Sequence, residues 1–347
     1  MKIKKAITIA LATAGASSAF AQYSSPELIL VADQGGKDSN NNIHVPKIDR
    51  YDPTTGNYLG SFGSPYLSDP TAIAIVGQDA YVADTFTFNN ASYSRIDKFN
   101  FSTGAYDGSI FNAGPDKITG LATYGGNILA VDSGVGPGTG GIYTLAPDGS
   151  VLGKTLAAPT MQDNRIAIVG GTAWVTATGS PTGTLWEYGL NPDGTLGLGG
   201  GPSGQYHGVA AGTGNLTGNL YDTGIDSNGY EFLQRRDSSG NLISSYSWPY
   251  AGYYYNPSLA MGHDGGLYAL VDYVGYWYVE RFDGGNGMPY GPQGFFEIDA
   301  YTSGHTWLPT DMAVYAAPEP VTMVGLGLGV FGLLARRRRR IGGGGGN

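Results

Sequence analysis

The sequence predicts an all-β fold in which six similar sheets are arranged as the blades of a propeller. Three observations carry this prediction. A short element recurs six times at intervals of 43 to 53 residues, and further strand-like runs follow the first five copies. Glycine, with 58 residues, provides many tight turns. A repeat of this length with several strands per unit is typical of propeller blades.

The recurring element is an apolar residue followed by alanine within a strand-like run. We assign it to the innermost strand of each blade, because innermost strands converge on the axis, where small side chains leave room for neighbouring blades. The six copies are Ile73-Ala74, Leu121-Ala122, Ile166-Ala167, Val209-Ala210, Leu259-Ala260 and Met312-Ala313.

A second and then a third strand follow the first five copies. The second runs, such as Ala80–Asp84 and Ile128–Asp132, come after a glycine-containing turn. The third runs, such as Arg95–Phe99, alternate in polarity as half-buried strands do. Turns of the Asp-Gly or Thr-Gly type often come next, for example at Thr103-Gly104 and Asp148-Gly149. Each unit is therefore expected to be an antiparallel sheet.

The two ends of the repeat region predict how the ring closes. The region starts with a second-strand run, Leu28–Asp33, and finishes with a first-strand run, Thr310–Val314. If these two pair within one blade, the ring has six blades and no sheet edge stays open at the join. A seven-bladed ring and a tandem of β-sandwiches are the alternatives.

Segments such as Ile48–Gly56 and Asp69–Ala74 resemble the repeats of NHL-type six-bladed propellers. The resemblance spans most of residues 28–315. It implies the fold and little about function, because propellers host enzymes and binding modules alike.

The first 21 residues are typical of a secretory signal peptide. Three lysines among the first five residues precede an apolar stretch, Ala6–Ala14, and a cleavage site formed by Ala19, Phe20 and Ala21. The stretch is too short to span a bilayer, which needs about 20 apolar residues. We expect signal peptidase to cleave at this site and the mature protein to be exported across the inner membrane. A buried N-terminal helix is the alternative.

Residues 318–340 combine three elements in a fixed order. Pro318, Glu319 and Pro320 are followed by an uncharged apolar run, Val321–Ala335, and by five arginines, Arg336–Arg340. The arginines should hold that side in the cytoplasm. The apolar run is short for a permanent transmembrane helix, so we expect transient anchoring.

This order of elements resembles the PEP-CTERM sorting signal of exosortase substrates. The resemblance implies recognition at Pro318-Glu319-Pro320 by a membrane-embedded cysteine protease, removal of the tail, and delivery to the cell surface or the extracellular space. An ordinary C-terminal membrane anchor is the alternative. Residues 341–347 form a glycine-rich tail to which we assign no role.

The composition excludes several classes of function. The chain has no cysteine, so thiol chemistry, disulfides and cysteine–zinc sites are ruled out. Its net charge is −9, and eight of its 19 basic residues lie at the two ends, so the body between them is strongly acidic. Nucleic acid is not an expected partner, because phosphate binding needs a basic surface.

The start of each first strand is where a channel ligand would lie. Aligning the repeats places Thr71, Thr119, Asn164, His207, Pro257 and Thr310 in one ring. Arg165, His207 and Asp311 are the strongly polar residues of this ring and the next, and they form the candidate channel site. A structural ion pair and a hydrogen-bonded wall histidine are the alternatives.

Acidic residues end several second strands and raise the question of a metal. Convergent carboxylates at Asp33, Asp84, Asp132 and Asp272 would suit calcium, although aspartate at a strand end normally binds the following turn. The loop Asp33–Asn42 lacks calcium-loop spacing and is expected to be a flexible surface excursion. No cofactor is assigned. Gluconolactonase-type propellers hold a divalent metal, but their ligands cannot be placed on this chain.

Aromatic residues crowd one region, where they form a candidate binding surface of Tyr250, Tyr253, Tyr254, Tyr255, Tyr276 and Trp277. Flat rings with polar tips suit sugars or a protein partner. We expect an exported, non-enzymatic binding or scaffold protein, associated with extracellular polysaccharide or another envelope component. The alternatives are a metal-dependent hydrolase or lactonase at the channel mouth and a purely structural module.

Overall fold

The protein is a six-bladed β-propeller, as the repeats predict. The computed structural model describes residues 27–37, 43–134, 140–156, 165–177, 184–191, 195–200, 205–226, 228–247, 258–262, 264–273, 276–286, 295–299 and 309–315. These residues form six four-stranded antiparallel sheets and one two-stranded hairpin. Six separate sheets exclude both the seven-bladed ring and the tandem of sandwiches. Within this part of the chain, the one helical element is a 3-10 turn at Gly214–Leu216.

The strands of each blade follow one another from the channel axis to the outer rim. Blade 1 contains β26 (Pro309–Tyr315), β1 (Leu28–Asp33), β4 (Lys47–Tyr51) and β5 (Tyr58–Phe62). Blade 2 contains β6 (Pro70–Val76), β7 (Asp79–Phe88), β8 (Ala91–Asn100) and β9 (Tyr106–Gly114). Blade 3 contains β10 (Ile118–Tyr124), β11 (Asn127–Asp132), β12 (Gly141–Leu145) and β13 (Val151–Leu156).

The other three blades repeat this plan. Blade 4 contains β14 (Ile166–Val169), β15 (Thr172–Ala177), β16 (Thr184–Leu190) and β17 (Leu196–Leu198). Blade 5 contains β18 (Gln205–Ala211), β19 (Leu220–Ile225), β20 (Glu231–Arg236) and β21 (Leu242–Ser247). Blade 6 contains β22 (Leu259–Met261), β23 (Gly266–Tyr273), β24 (Tyr276–Asp283) and β25 (Phe295–Asp299).

The first strands contact one another in a closed ring, in the order β26, β6, β10, β14, β18, β22 and back to β26. Blade 4 therefore lies across the channel from blade 1. We call the face at which the first strands begin the upper face, and the opposite face the lower face. Because the second strands run the other way, they end at the upper face.

The predicted pairing of the chain ends is confirmed. Strand β1 pairs with β26 from Leu28 opposite Tyr315 to Ala32 opposite Asp311. This blade joins the first and last strands of the propeller, so the ring has no open edge at the join. Strand β1 begins and strand β26 ends at the lower face.

The core lies between the blades. Second strands are buried almost throughout, as in Leu28–Asp33, whereas outer strands such as Val151–Leu156 alternate between exposed and half-buried residues. One apolar cluster joins Leu30 of blade 1 to Ile73, Val82 and Phe99 of blade 2. Burial of this kind contributes roughly 25 cal/mol per Å² of apolar surface, so blade-to-blade packing is the main source of stability.

Aspartates begin many of the turns between third and fourth strands. The carboxylates of Asp52, Asp148, Asp237 and Asp283 accept main-chain N–H groups two residues further on. In the turn of blade 5, Gly240 has φ +80°, and a Cβ there would lie 2.6 Å from the Trp174 ring of blade 4. Glycine is needed at this turn for both the backbone conformation and the packing.

The structure differs from the sequence-based expectations at two places near the ends of second strands. The segment after Asp33 contains the hairpin of β2 (Gly36–Lys37) and β3 (Ile43–His44), where the sequence suggests a flexible excursion. Strand β23 continues past Asp272 to Tyr273, so Asp272 does not end the strand. The register also places Asp272 one position further along its second strand than Asp84 lies in blade 2.

The predicted signal peptide and sorting region lie outside the described residues. These expectations concern residues 1–21, with Ala19 and Ala21, residues 318–340, with Pro318, Glu319 and Pro320, and the tail 341–347. Among the residues that the structure describes, no helix has the length and apolar character needed to cross a membrane.

Candidate functional site

The upper mouth of the channel is built from β-bulges. The register between first and second strands skips Thr71 in blade 2, Thr119 in blade 3 and Thr310 in blade 1. In blade 5 the skipped residues are His207 and Gly208. A bulged residue leaves the strand ladder, so its main-chain groups can bind something other than the neighbouring strand.

Threonine hydroxyls at the bulges join neighbouring blades. Thr310 Oγ1 donates a hydrogen bond to the carbonyl of Pro70, at 2.6 Å, and Thr71 Oγ1 donates to the carbonyl of Ile118, at 2.7 Å. The same interaction therefore links blade 1 to blade 2 and blade 2 to blade 3. Threonine suits this position because its hydroxyl reaches a carbonyl of the next blade.

The guanidinium of Arg165 occupies the mouth. Arg165 precedes β14, and its Nη1 donates to the carbonyls of Thr119, at 2.6 Å, and Thr71, at 3.5 Å. Its Nη2 donates to the carbonyl of Thr310. Bulged carbonyls from three blades thus form a collar of partial negative charge, and the arginine is the cation within it.

Asp311 completes this arrangement. Its Oδ1 lies 3.5 Å from Nε of Arg165, and its Oδ2 accepts the main-chain N–H of Ile73 at 2.9 Å. Ser258 Oγ donates to Asp311 Oδ1 at 2.5 Å and accepts the N–H of Met312 at 3.1 Å. The side chains of Arg165 and Asp311 are 18% and 8% exposed. A pair this buried is stable only when hydrogen bonds satisfy both partners, and these contacts do so.

The structure brings Arg165 and Asp311 together at the mouth. Their contacts are those of a structural ion pair, which is one of the alternatives given for this site. His207 is half-buried on β18, and its carbonyl accepts a hydrogen bond from Thr176 Oγ1 at 3.2 Å. That contact links blade 5 to blade 4. Ser258 and the three carbonyls of the collar were not identified from the sequence.

Below the collar, most of the residues that line the channel are apolar. Each of the six first strands contributes three consecutive residues, such as Ile73–Ile75 and Leu121–Thr123, to a cavity of about 240 Å³. Alanine is the middle residue of each of these six segments, which is consistent with the predicted crowding at the axis. Arg165 and Asp311 are therefore a charged pair that lies above a channel lined mostly by apolar residues.

The acidic ends of second strands are engaged within their own blades. Asp84 accepts the N–H groups of Ser68 and Asp69 and lies 2.9 Å from Arg95 Nη2. Asp132 accepts the N–H of Gly134 and lies 3.2 Å from Lys154 Nζ. Asp33 is arranged in the same way, with the N–H of Gly35 and with Nζ of Lys47, at 3.7 Å.

These contacts do not fit a calcium site, because each of these three carboxylates already has a turn and a cation as partners. Among the described residues, no three histidine, aspartate or glutamate side chains lie close enough together to hold a metal ion. We therefore assign no metal ligands within this part of the chain.

Several buried carboxyl groups have raised pKa values. Burial raises the pKa of Asp97 to about 6, although Arg95 opposes the shift. Burial also raises the pKa of Glu231 to about 8 and that of Glu280 to about 7. Residues two apart in a strand lie on the same side of the sheet. Glu231 therefore lies on the same side as Leu233, and Glu280 on the same side as Phe282. Both apolar residues belong to the cluster between blades 5 and 6. These two glutamates therefore point into that interface.

The predicted aromatic surface is described only in part. Trp277 is half-buried and packs against the apolar cluster between blades 1 and 6, whereas Tyr278 packs against the cluster between blades 5 and 6. Trp277 therefore contributes to packing. The backbone of Tyr276 begins β24. Tyr250, Tyr253, Tyr254 and Tyr255 lie outside the described residues.

Comparison with known proteins agrees with the fold. No protein-family model matches the chain, and no curated protein matches it. Among solved structures, TolB from Acinetobacter baumannii is similar, with 10% identity and a TM-score of 0.58 over 83% of this chain and 66% of that one. The Pseudomonas aeruginosa periplasmic gluconolactonase PpgL has 14% identity and a TM-score of 0.55 over 84% and 99%.

A putative 6-phosphogluconolactonase from Bacteroides uniformis has 15% identity and a TM-score of 0.52, over 82% of this chain and 83% of that one. Likenesses at this level of identity show the fold alone. The fold and the mouth together define a six-bladed propeller whose upper channel mouth is occupied by its own arginine.

Proposed function

We propose that this chain is an exported, non-enzymatic binding propeller that associates with extracellular polysaccharide. One observation carries the proposal: the polar groups at the channel mouth, where a small ligand would bind, are bound to one another. The guanidinium of Arg165 is held by three carbonyls and Asp311, and Asp311 is held by Ser258 and Ile73. A partner would then contact the faces and rims of the blades.

Export and sorting belong to the same proposal. The N-terminal 21 residues act as a signal peptide, and an exosortase recognises Pro318-Glu319-Pro320 and removes the tail. The name of PpgL, a periplasmic protein with this fold, is consistent with an exported propeller. Sorting would deliver the protein to the cell surface or the extracellular matrix, where long sugar polymers are the abundant partner.

A lactonase is the second candidate, because two of the similar solved structures carry lactonase names. The candidate carboxylate ligands Asp33, Asp84 and Asp132 are engaged by lysine or arginine of their own blades, which disfavours a metal-dependent mechanism. We rank this candidate below the binding function for that reason.

The proposal is tested with mature protein recovered from the producing bacterium and that bacterium's own extracellular polysaccharide. Protein that co-sediments with the polymer and any soluble product are measured together, with and without EDTA. We expect retention that EDTA does not change and no soluble product. Soluble product that disappears with EDTA would establish the hydrolase. If neither retention nor product is detected, the remaining candidate is a structural role.

A further inference from the structure

Blade 2 carries a hairpin that is longer than its counterparts. Strands β7 and β8 have ten residues each, whereas the second and third strands of the other blades have five to eight. The extra length lies beyond Asp84, at the upper face, and ends in a two-residue turn of Asn89 and Asn90. Both asparagines have positive φ, 50° and 63°, which is the type I′ geometry that matches strand twist.

One side of this hairpin is an ordered set of aromatic rings, which we call the aromatic ladder: Phe86, Phe88 and Tyr93. Phe86 lies directly opposite Tyr93, with ring centroids 5.8 Å apart and planes at 25°. Phe88 contacts Tyr93 edge to face at 6.5 Å and is 60% exposed. The rings are therefore positioned by the strand register and by one another, while the outermost ring faces solvent.

The base of the ladder is held by Arg95. The guanidinium of Arg95 lies 4.9 Å from the centre of the Phe86 ring. The same guanidinium is held by Asp84 and Asp97, each at 2.9 Å. Because both aspartates neutralise it, Arg95 supports the ladder without presenting a free positive charge.

The charge of the hairpin indicates the chemistry of its partner. Residues 85–94 read Thr-Phe-Thr-Phe-Asn-Asn-Ala-Ser-Tyr-Ser and contain no charged side chain, in a chain whose net charge is −9. The other side carries hydroxyl groups, with Thr87 opposite Ser92. An uncharged surface of rings, amides and hydroxyls matches an uncharged partner with apolar ring faces and many hydroxyl groups, rather than an ionic one.

From these observations we infer that the aromatic ladder binds the sugar rings of an uncharged polysaccharide. The sugar faces stack on Phe88 and Phe86, and the side-chain amides of Asn89 and Asn90 hydrogen-bond the hydroxyl groups at the tip. This inference rests on the proposed function and assigns its binding surface to blade 2. It differs from the surface predicted from the sequence, which lies in residues 250–277.

Affinity electrophoresis of the mature protein tests the inference, with hydroxyethylcellulose as the uncharged polymer and alginate as the charged one. We expect hydroxyethylcellulose to retard the wild type and alginate to have no effect. Phe86→Ala/Phe88→Ala should raise the apparent Kd about tenfold, the loss expected from two stacking contacts. Phe88→Ala alone removes an exposed ring, so it keeps the fold and should show part of this effect.

The matched control is Tyr124→Ala, which removes an aromatic ring that is 46% exposed at the tip of the β10–β11 turn on the lower face. It should leave retardation unchanged. Equal retardation of the ladder variants and the wild type, retardation by alginate, or no retardation by hydroxyethylcellulose would overturn the inference. So would a concentration-dependent dimer that the ladder variants lose, because a second copy would then cover the rings.

The two proposals can fail separately. If the ladder variants still co-sediment with the bacterium's own polysaccharide as the wild type does, the binding function stands and its surface lies elsewhere. If the wild type does not co-sediment with that polymer but hydroxyethylcellulose retards it through the ladder, the surface is right and the proposed natural partner is wrong.

Discussion

Arg165 and Asp311 form an ion pair across the channel, between blades that lie on opposite sides of the ring. Their Nε and Oδ1 atoms are 3.5 Å apart, although 146 positions separate the two residues in the chain. The collar carbonyls of Thr71, Thr119 and Thr310 surround the same guanidinium. This one side chain therefore links blade 4 to blades 1, 2 and 3.

The first prediction concerns the stability that this link provides. Arg165→Ala leaves Asp311 buried without its cation and three carbonyls without a donor, so it should lower the free energy of unfolding by about 3 kcal/mol. Arg165→Lys should lower it less, because an ammonium keeps the charge but cannot reach all the carbonyls in one plane. Urea unfolding of the three proteins measures the difference.

Arg50→Ala is the control for this prediction. Arg50 Nη1 also donates to two main-chain carbonyls, those of Phe101 and Ser102, but at the periphery of the ring. Its loss should cost about 1 kcal/mol. If the two alanine variants lose the same free energy of unfolding, the link across the channel stabilises the protein no more than a peripheral contact does.

The second prediction concerns the threonine hydroxyls that join neighbouring blades. Thr71→Val and Thr310→Val keep the shape of the side chain and remove one donor each, so each should cost about 1 kcal/mol of unfolding free energy. Thr54→Val, at an exposed turn position of blade 1, should cost nothing measurable. Thermal unfolding is sufficient to compare them, and a neutral effect of both bulge substitutions would contradict the role given to the hydroxyls.

The third prediction is a pH dependence of stability at the interface of blades 5 and 6. Burial raises the pKa of Glu231 from its usual 4.5 to about 8. Between these two values the folded state binds more protons than the unfolded state does, so Glu231 makes stability fall as pH rises from 4.5 to 8. Glu231→Gln should therefore raise the melting temperature at about pH 8 and change it little at about pH 4.

Glu187→Gln is the control, because Glu187 is half-buried on β16 and away from that interface. The melting temperature of each variant is compared with that of the wild type at both pH values. Because both variants lose one carboxyl group, the difference between them removes the general effect of net charge. A gain for Glu231→Gln that is the same in acid as at the higher pH would contradict the assignment.

The fourth prediction concerns sorting. Replacing Pro318, Glu319 and Pro320 with alanine should leave the protein unprocessed, so that it stays in the membrane fraction with its tail attached. Thr322→Ala, just beyond the motif, should be processed as the wild type is. Fractionation and immunoblotting give both the location and the size. Normal release of the alanine variant would argue against an exosortase.

Much of the architecture could be predicted from the sequence, because blade packing imposes a regular pattern. Apolar-alanine pairs, alternating third strands and the complementary end strands depend on local periodicity, and all six sheets follow them. The contact between Arg165 and Asp311 could also be predicted from the sequence, because aligning the repeats places both residues near the start of first strands.

The rest depends on backbone geometry that side-chain patterns do not encode. The collar of carbonyls results from bulges at Thr71, Thr119 and Thr310, which the sequence marks only by the recurrence of threonine. Ser258 lies next to the ring of aligned residues that contains these threonines. A single serine beside an apolar run, however, has no evident partner in the sequence. The length of the β7–β8 hairpin could not be predicted either, because the sequence of its uncharged tip resembles that of a polar loop.

Co-sedimentation of Arg165→Lys with the bacterium's own polysaccharide tests the central claim most directly, because it changes the channel mouth and nothing on the outer faces. The claim is that the polar side chains at the mouth bind one another and that the partner binds the outer surface. Retention should therefore equal that of the wild type, at a temperature where both proteins are folded. Loss of retention by a folded Arg165→Lys protein would place the ligand at the mouth and contradict the account.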